Sequence, residues 1–150
     1  MKGQPMMMGR EQLLVVFLER HAEELTQNWM RIVRNESLTR SYQAFDEKSV
    51  YDRALKVYQQ LGRWVSGEFT KGDIQSYYTA IGGQRRREGF ALAEVVRAMI
   101  VARRVLWFKI QSEGLLEADM DPELALMMNN RVLLFFDRAI YYVTRGYEQK

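Results

Sequence analysis

Gly82-Gly83-Gln84-Arg85-Arg86-Arg87-Glu88-Gly89-Phe90, continuing through Ala91-Leu92-Ala93-Glu94-Val95-Val96-Arg97 towards Leu106-Trp107, is the stretch whose reading decides the fold. Paired glycines, a basic triplet and a further glycine lead into a long pattern of helical period. Glycine reaches backbone angles that other residues resist, so the reading places a sharp turn here with three guanidiniums on it. Beyond the turn, Leu92, Val95, Val96, Met99, Arg103, Leu106 and Ile110 recur at the spacing of one helical face. A basic corner that hands the chain into a helix with an inward face is the expected centre of the molecule.

Outward from that corner, four more helical patterns and no strand pattern emerge. A first helix over 9–35 carries Phe17, His21, Leu25, Trp29 and Ile32 on one stripe. A polar turn over 37–46 precedes a second helix over 47–69, with Val50, Ala54, Val57, Leu61 and Trp64 or Val65 inward. Asp73 reads as the N-cap of a short third helix that the Gly82-Gly83 pair stops. The fourth helix runs from Phe90 to Ser112. Asp121-Pro122-Glu123 starts the last, combining a capping carboxylate, a proline at the first helical position and acid near the positive end of the dipole. Residues 1–8, with Met6-Met7-Met8, are expected to be a flexible tail ahead of one helical domain over 9–150.

Composition narrows the chemistry. With 150 residues, 47% hydrophobic and 27% charged, the chain suits one soluble globular domain. The absence of cysteine excludes disulfides, thiolate nucleophiles and Cys-based metal sites, and a lone histidine excludes multi-His centres. No apolar run approaches the ~18 residues of a membrane span, and the start lacks a signal-peptide pattern. The expected location is the cytoplasm, with no cofactor and no metal. The net charge of +3 is too small to argue for nucleic acid by itself.

Over nearly its whole length the sequence resembles the N-terminal sensor domain of RsbR-type stressosome proteins, the RsbRD N-terminal type. The resemblance rests on Arg87-x-Gly89-Phe90-x-Leu92-x-Glu94-Val95, on Arg103 or Arg104 with Leu106-Trp107, and on Phe136-Asp137-Arg138-Ala139 followed by Gly146-Tyr147. It implies an all-α, five-helix, globin-like bundle without haem, which dimerises through its last two long helices. It also implies an input module that precedes an output domain. Nothing after Lys150 reads as such a domain, so the expectation is either an excised module or a stand-alone sensor acting on a signalling protein in trans.

Each candidate site has two readings. His21 is either a partly buried histidine of the core or, with Trp29, Tyr58 and Trp107, part of a cavity for a small apolar ligand; a haem reading lacks a histidine on a later helix. Arg85 and Arg86 are either solvated or a contact for an acidic partner, a phosphate or a nucleic-acid backbone, while Arg87 pairs inward with a carboxylate such as Glu94. Arg103, on an apolar face, needs a partner if buried, and Asp137 is the expected one. Leu134, Phe135 and Tyr142 are the expected dimer contacts.

No nucleophile–base or metal constellation appears, so the leading reading is a non-enzymatic sensor domain that forms a homodimer and relays a partner or small-ligand signal. The alternative is a nucleic-acid-binding regulator using the basic corner and the fourth helix, where Arg85, Arg86, Arg87, Arg97, Arg103, Arg104 and Lys109 outnumber Glu88 and Glu94. The inward stripe of that helix argues against it.

Overall fold

In the computed structural model, which describes residues 3–113 and 122–149, the chain forms α1 (Gly3–Val33), a 3-10 turn (Ser37–Thr39), α2 (Ser41–Ala44), α3 (Glu47–Val65), α4 (Lys71–Arg87), α5 (Leu92–Ser112) and α6 (Pro122–Glu148). No strand occurs among the described residues, and the fold is all-α. Among the described residues six α-helices replace the expected five, because the polar connection before α3 folds into a helical turn of its own. Asp121 and Leu124 lie outside the residues whose side chains are described. No helix among the described residues is long and apolar enough to cross a membrane.

Local chemistry explains the helix starts. Asp46 caps α3 by accepting from the Ser49 amide at 2.9 Å. Thr70, not Asp73, is the N-cap of α4. Its hydroxyl accepts from the Asp73 amide at 3.2 Å, and the Asp73 carboxylate accepts from the Thr70 amide at 2.8 Å. This reciprocal pair is a capping box, which moves the helix start three residues earlier than a lone capping aspartate would.

The Gly82-Gly83 pair does not stop α4, which continues to Arg87. Its role is tertiary. A Cβ on Gly82 would lie 2.0 Å from the Val143 carbonyl oxygen, and one on Gly146 would lie 1.9 Å from the Thr79 carbonyl oxygen. The glycines let the backbones of α4 and α6 touch where they cross. That pairing is matched by α1 against α3, while α5 packs against both α1 and α6. The resulting core includes Leu18 and Leu25 from α1, Tyr58 and Leu61 from α3, Ile74 and Tyr78 from α4, Leu106 from α5, and Phe135 and Phe136 from α6.

Two aromatic tips fix α5 in this frame. The Trp29 indole donates to the Ala98 carbonyl and the Tyr58 hydroxyl to the Ala102 carbonyl, each at 2.8 Å. Helical carbonyls keep a second lone pair for such bonds, and the small side chains of Ala98 and Ala102 let the rings come close.

Candidate functional site

The basic corner forms where α4 ends. Glu88 is its C-cap, and Gly89 follows with φ +90°, the left-handed conformation that glycine adopts without steric cost. The Gly89 amide donates to the Arg86 carbonyl at 3.1 Å and the Phe90 amide to the Arg85 carbonyl at 3.0 Å. These are the two bonds of a Schellman motif, so Gly89 is the residue that turns the chain. Phe90 then drops into the core, with ring centroids 4.7 Å from Tyr42 and 5.2 Å from Phe45.

Because the three arginines occupy the last helical turn, they point in different directions. Arg85 is 6% exposed, whereas Arg86 and Arg87 are exposed. This reverses the expected assignment, in which Arg87 turned inward and Arg85 faced solvent or a partner. Continued through the glycine pair, α4 places Arg85 on the stripe of Ile74 and Tyr78, and that phase buries it. Arg86 instead donates to the Tyr147 carbonyl at 2.9 Å, while the Tyr147 hydroxyl donates to the Phe90 carbonyl at 2.7 Å. The end of α6 is thereby fastened over the corner.

Glu88 is the charge centre. Arg53 from α3 grips both its oxygens, at 2.9 and 2.7 Å, Gln84 donates at 3.1 Å and Arg85 approaches at 3.5 Å. Burial pushes the Glu88 carboxyl upward, but the Arg53 hydrogen bonds and the two guanidinium charges outweigh it and hold its pKa below the usual value. Arg85 is shifted down, chiefly by burial and next by repulsion from Arg53.

Among the described residues Glu94 forms no ion pair with Arg87 or another guanidinium, although the Arg40 amide donates to it. It accepts from the Ser41 amide at 3.0 Å and from the Ser41 hydroxyl, tying α2 to the start of α5, and from the Ala91 amide at 3.4 Å. Arg97, one turn on, makes a two-pronged bond to Glu36 at 3.0 Å for each prong. Arg103 lies 3.6 Å from Asp137, whose side chain is 66% exposed. Lys109 pairs with Glu24 at 2.7 Å and Glu113 at 2.9 Å. Arg85, Arg97, Arg103 and Lys109 are thus committed to carboxylates on separate elements. The charge excess behind the nucleic-acid alternative is not a continuous basic face.

Two concavities adjoin these groups. One, of about 60 Å³, lies among α3, α4 and α5 and has Trp29, Tyr42, Arg53, Tyr77, Arg85 and Met99 in its wall. The other is a groove of about 390 Å³ among α1, α5 and α6, with Leu14, Leu106, Trp107, Ile110, Met128 and Val132 among its lining residues. The expected ligand cavity is not assembled as proposed. Trp29 borders the first space and Trp107 the second, because Trp107 sits one residue past fully buried Leu106 and is 37% exposed. Tyr58 is buried and bonded to α5, and His21 borders neither space; its Nδ1 lies 3.5 Å from Glu24. Among the expected dimer contacts, Leu134 is exposed and Tyr142 half-buried, but Phe135 is fully buried inside its own protomer and cannot reach another.

The sequence reading missed a lock between α3 and α6. Arg131 donates to the Trp64 carbonyl at 2.6 Å and stacks 5.0 Å from the Trp64 ring, while the Trp64 indole donates to the Arg131 carbonyl at 3.1 Å. A tryptophan beside Gly67 and an arginine on an apolar stripe gave no joint signal, since their partnership spans 67 residues.

Compared with known families, the chain matches the model described as the RsbT co-antagonist protein rsbRD N-terminal domain over residues 23–150. No curated protein and no solved structure matches it.

Proposed function

The chain belongs to the RsbRD N-terminal domain family, and from that membership we propose that it is a non-enzymatic, cytoplasmic sensor domain of stressosome type, which dimerises and relays the engagement of a partner or small ligand. One observation carries the reading: the match over residues 23–150 takes in the corner, α5 and α6 together. The surface of α6 supports the dimer. Met127, Leu134 and Tyr141 are exposed at seven-residue intervals, and Phe108 on α5 is exposed as well. A row with that spacing is the seam along which two helices pack side by side. Packed helices settle into discrete arrangements rather than deforming continuously, so a shift of α5 against α6 would present a signalling protein in trans with two distinguishable surfaces.

Sedimentation equilibrium tests the proposal. The wild-type chain is expected to dimerise in the micromolar range and Leu134→Glu to sediment as a folded monomer. A wild-type chain that stays monomeric at tens of micromolar overturns it.

A further inference from the structure

At the corner two guanidiniums meet one bridging carboxylate, Glu88. Arg53 and Arg85 both face Glu88, and Arg53 takes both oxygens at hydrogen-bonding distance. Arg85 is left with one contact to Glu88, at 3.5 Å, although its side chain is 8% exposed. Its guanidinium also meets the Tyr42 hydroxyl. The Tyr42 hydroxyl is close enough for the arginine charges to act on it. Burial still dominates and pushes the Tyr42 pKa up to about 12. A guanidinium carries five donors, more than the contacts to Glu88 and Tyr42 occupy.

Those donors border the cavity of about 60 Å³. Its walls divide by chemistry. Arg53, Arg85, Tyr42 and Tyr77 bring polar groups to its wall, and the remaining lining is aromatic or aliphatic, including Ala54, Val57, Ala98 and Met99. At roughly 10–15 Å³ per water-sized position, the space takes on the order of four to six non-hydrogen atoms.

We propose that this cavity is a binding site for a short-chain monocarboxylate, about the size of acetate to butyrate, whose carboxylate meets Arg85 and whose alkyl end packs against α3 and α5. A planar carboxylate matches the fork of a guanidinium with two parallel hydrogen bonds. A phosphate of similar size would turn charged oxygens towards the alanine and valine walls, where no donor exists to meet them. Arg53, with a side chain 27% exposed, gives the site an edge in contact with solvent. The inference does not depend on the signalling reading, since it needs only the charge imbalance and the shape of the space.

The test is a thermal-melt titration of the full chain with sodium propionate, exchanged against sodium chloride at constant ionic strength, with propionamide as the neutral isostere. Propionate is expected to raise Tm saturably, by roughly 5–10 °C at a hundredfold excess over Kd. Propionamide is expected to leave Tm unchanged. Arg85→Gln removes an unbalanced charge and is expected to fold but to lose the response. Glu88→Gln frees Arg85 and Arg53 from their competing carboxylate and is expected to tighten propionate about tenfold. An equal rise with propionamide, a response retained in Arg85→Gln, or no tightening in Glu88→Gln would each overturn the proposal.

Discussion

Replacing Gly146 by alanine sets two rules against each other. On helix propensity alone the change should stabilise α6 by up to about 1 kcal/mol. At the crossing with α4, however, the new methyl would sit 1.9 Å from the Thr79 carbonyl oxygen and 2.7 Å from its carbon. Those are backbone atoms inside a regular helix, so relief requires the two helices to part by about 1 Å. A radial gap of ~0.5–1 Å forfeits a quarter to a half of the dispersion attraction along a packed seam. The seam in question is the most extensive among the described residues. The expected net loss is about 3–5 kcal/mol, at the upper end for a single substitution. For a chain of this length that lowers Tm by roughly 6–20 °C at ~2–4 °C per kcal/mol. Gly82→Ala, 2.0 Å from the Val143 carbonyl oxygen, should behave alike, and the double variant should lose less than the sum because one separation relieves both clashes. Gly62→Ala is the control. Its methyl would meet the Leu18 side chain at an ordinary 4.0 Å, so it should gain stability by about 0.5–1 kcal/mol. Urea unfolding followed by circular dichroism reads all four. If Gly146→Ala equals or exceeds the wild type while Gly62→Ala does too, the close crossing of α4 and α6 is refuted.

Four other outcomes follow from the corner and its supports. Gly89→Ala meets no atom within 4 Å, so its loss of about 1–2 kcal/mol is purely that of forcing φ +90° on a side chain, and Gly89→Asn should recover part of it. Tyr147→Phe removes the bond to the Phe90 carbonyl and should lower stability by about 1 kcal/mol in urea melts, with an unchanged midpoint arguing that α6 is not fastened there. Glu36, Glu88 and Glu94 are all held below the ordinary value of 4.5: Glu36 by the Arg97 hydrogen bond, and the other two by bonds from Arg53 and Ser41 that overcome burial. A carboxyl lowered by folding stabilises above its unfolded pKa and loses that contribution as pH falls through the folded one, so stability should decline from about pH 4.5 downward and Glu36→Gln should flatten the decline. Arg103→Met with Asp137→Asn should show almost no coupling, since an exposed pair at 3.6 Å is worth about 0.5 kcal/mol or less, and a double-mutant cycle above that would revise the view of this contact.

How far the fold can be read from the chain depends on the range of the interactions that fix it. The stripes of α1, α3, α5 and α6 repeat every three or four residues, so Leu25, Ala54, Leu61, Leu106 and Val143 announce their burial locally. Capping is local too, and the box Thr70-x-x-Asp73 was available. Asp73 read alone looked like the cap itself, three residues too late. The glycine pair is another matter. A glycine that ends a helix and one that admits a neighbouring backbone look the same in sequence, and only Val143 and Gly146, some sixty residues on, tell them apart.

That one ambiguity propagated into the site. Ending α4 at Gly82 frees Arg85 from any helical phase, and the basic triplet then reads as three equivalent charges on a turn. Extending the helix to Arg87 assigns each a direction, with Arg85 following Ile74 and Tyr78 inward and Arg86 reaching the α6 terminus. Arg53 could not be foreseen as the second cation of this centre, because its approach to Glu88 depends on how α3 lies against the corner across 35 residues. Local period could identify the helix and the turn residue. The surplus charge exists only after α3 and the end of α4 have been brought together, which is why the corner looked like an exposed basic surface in the sequence and is a partly enclosed centre around one carboxylate in the fold.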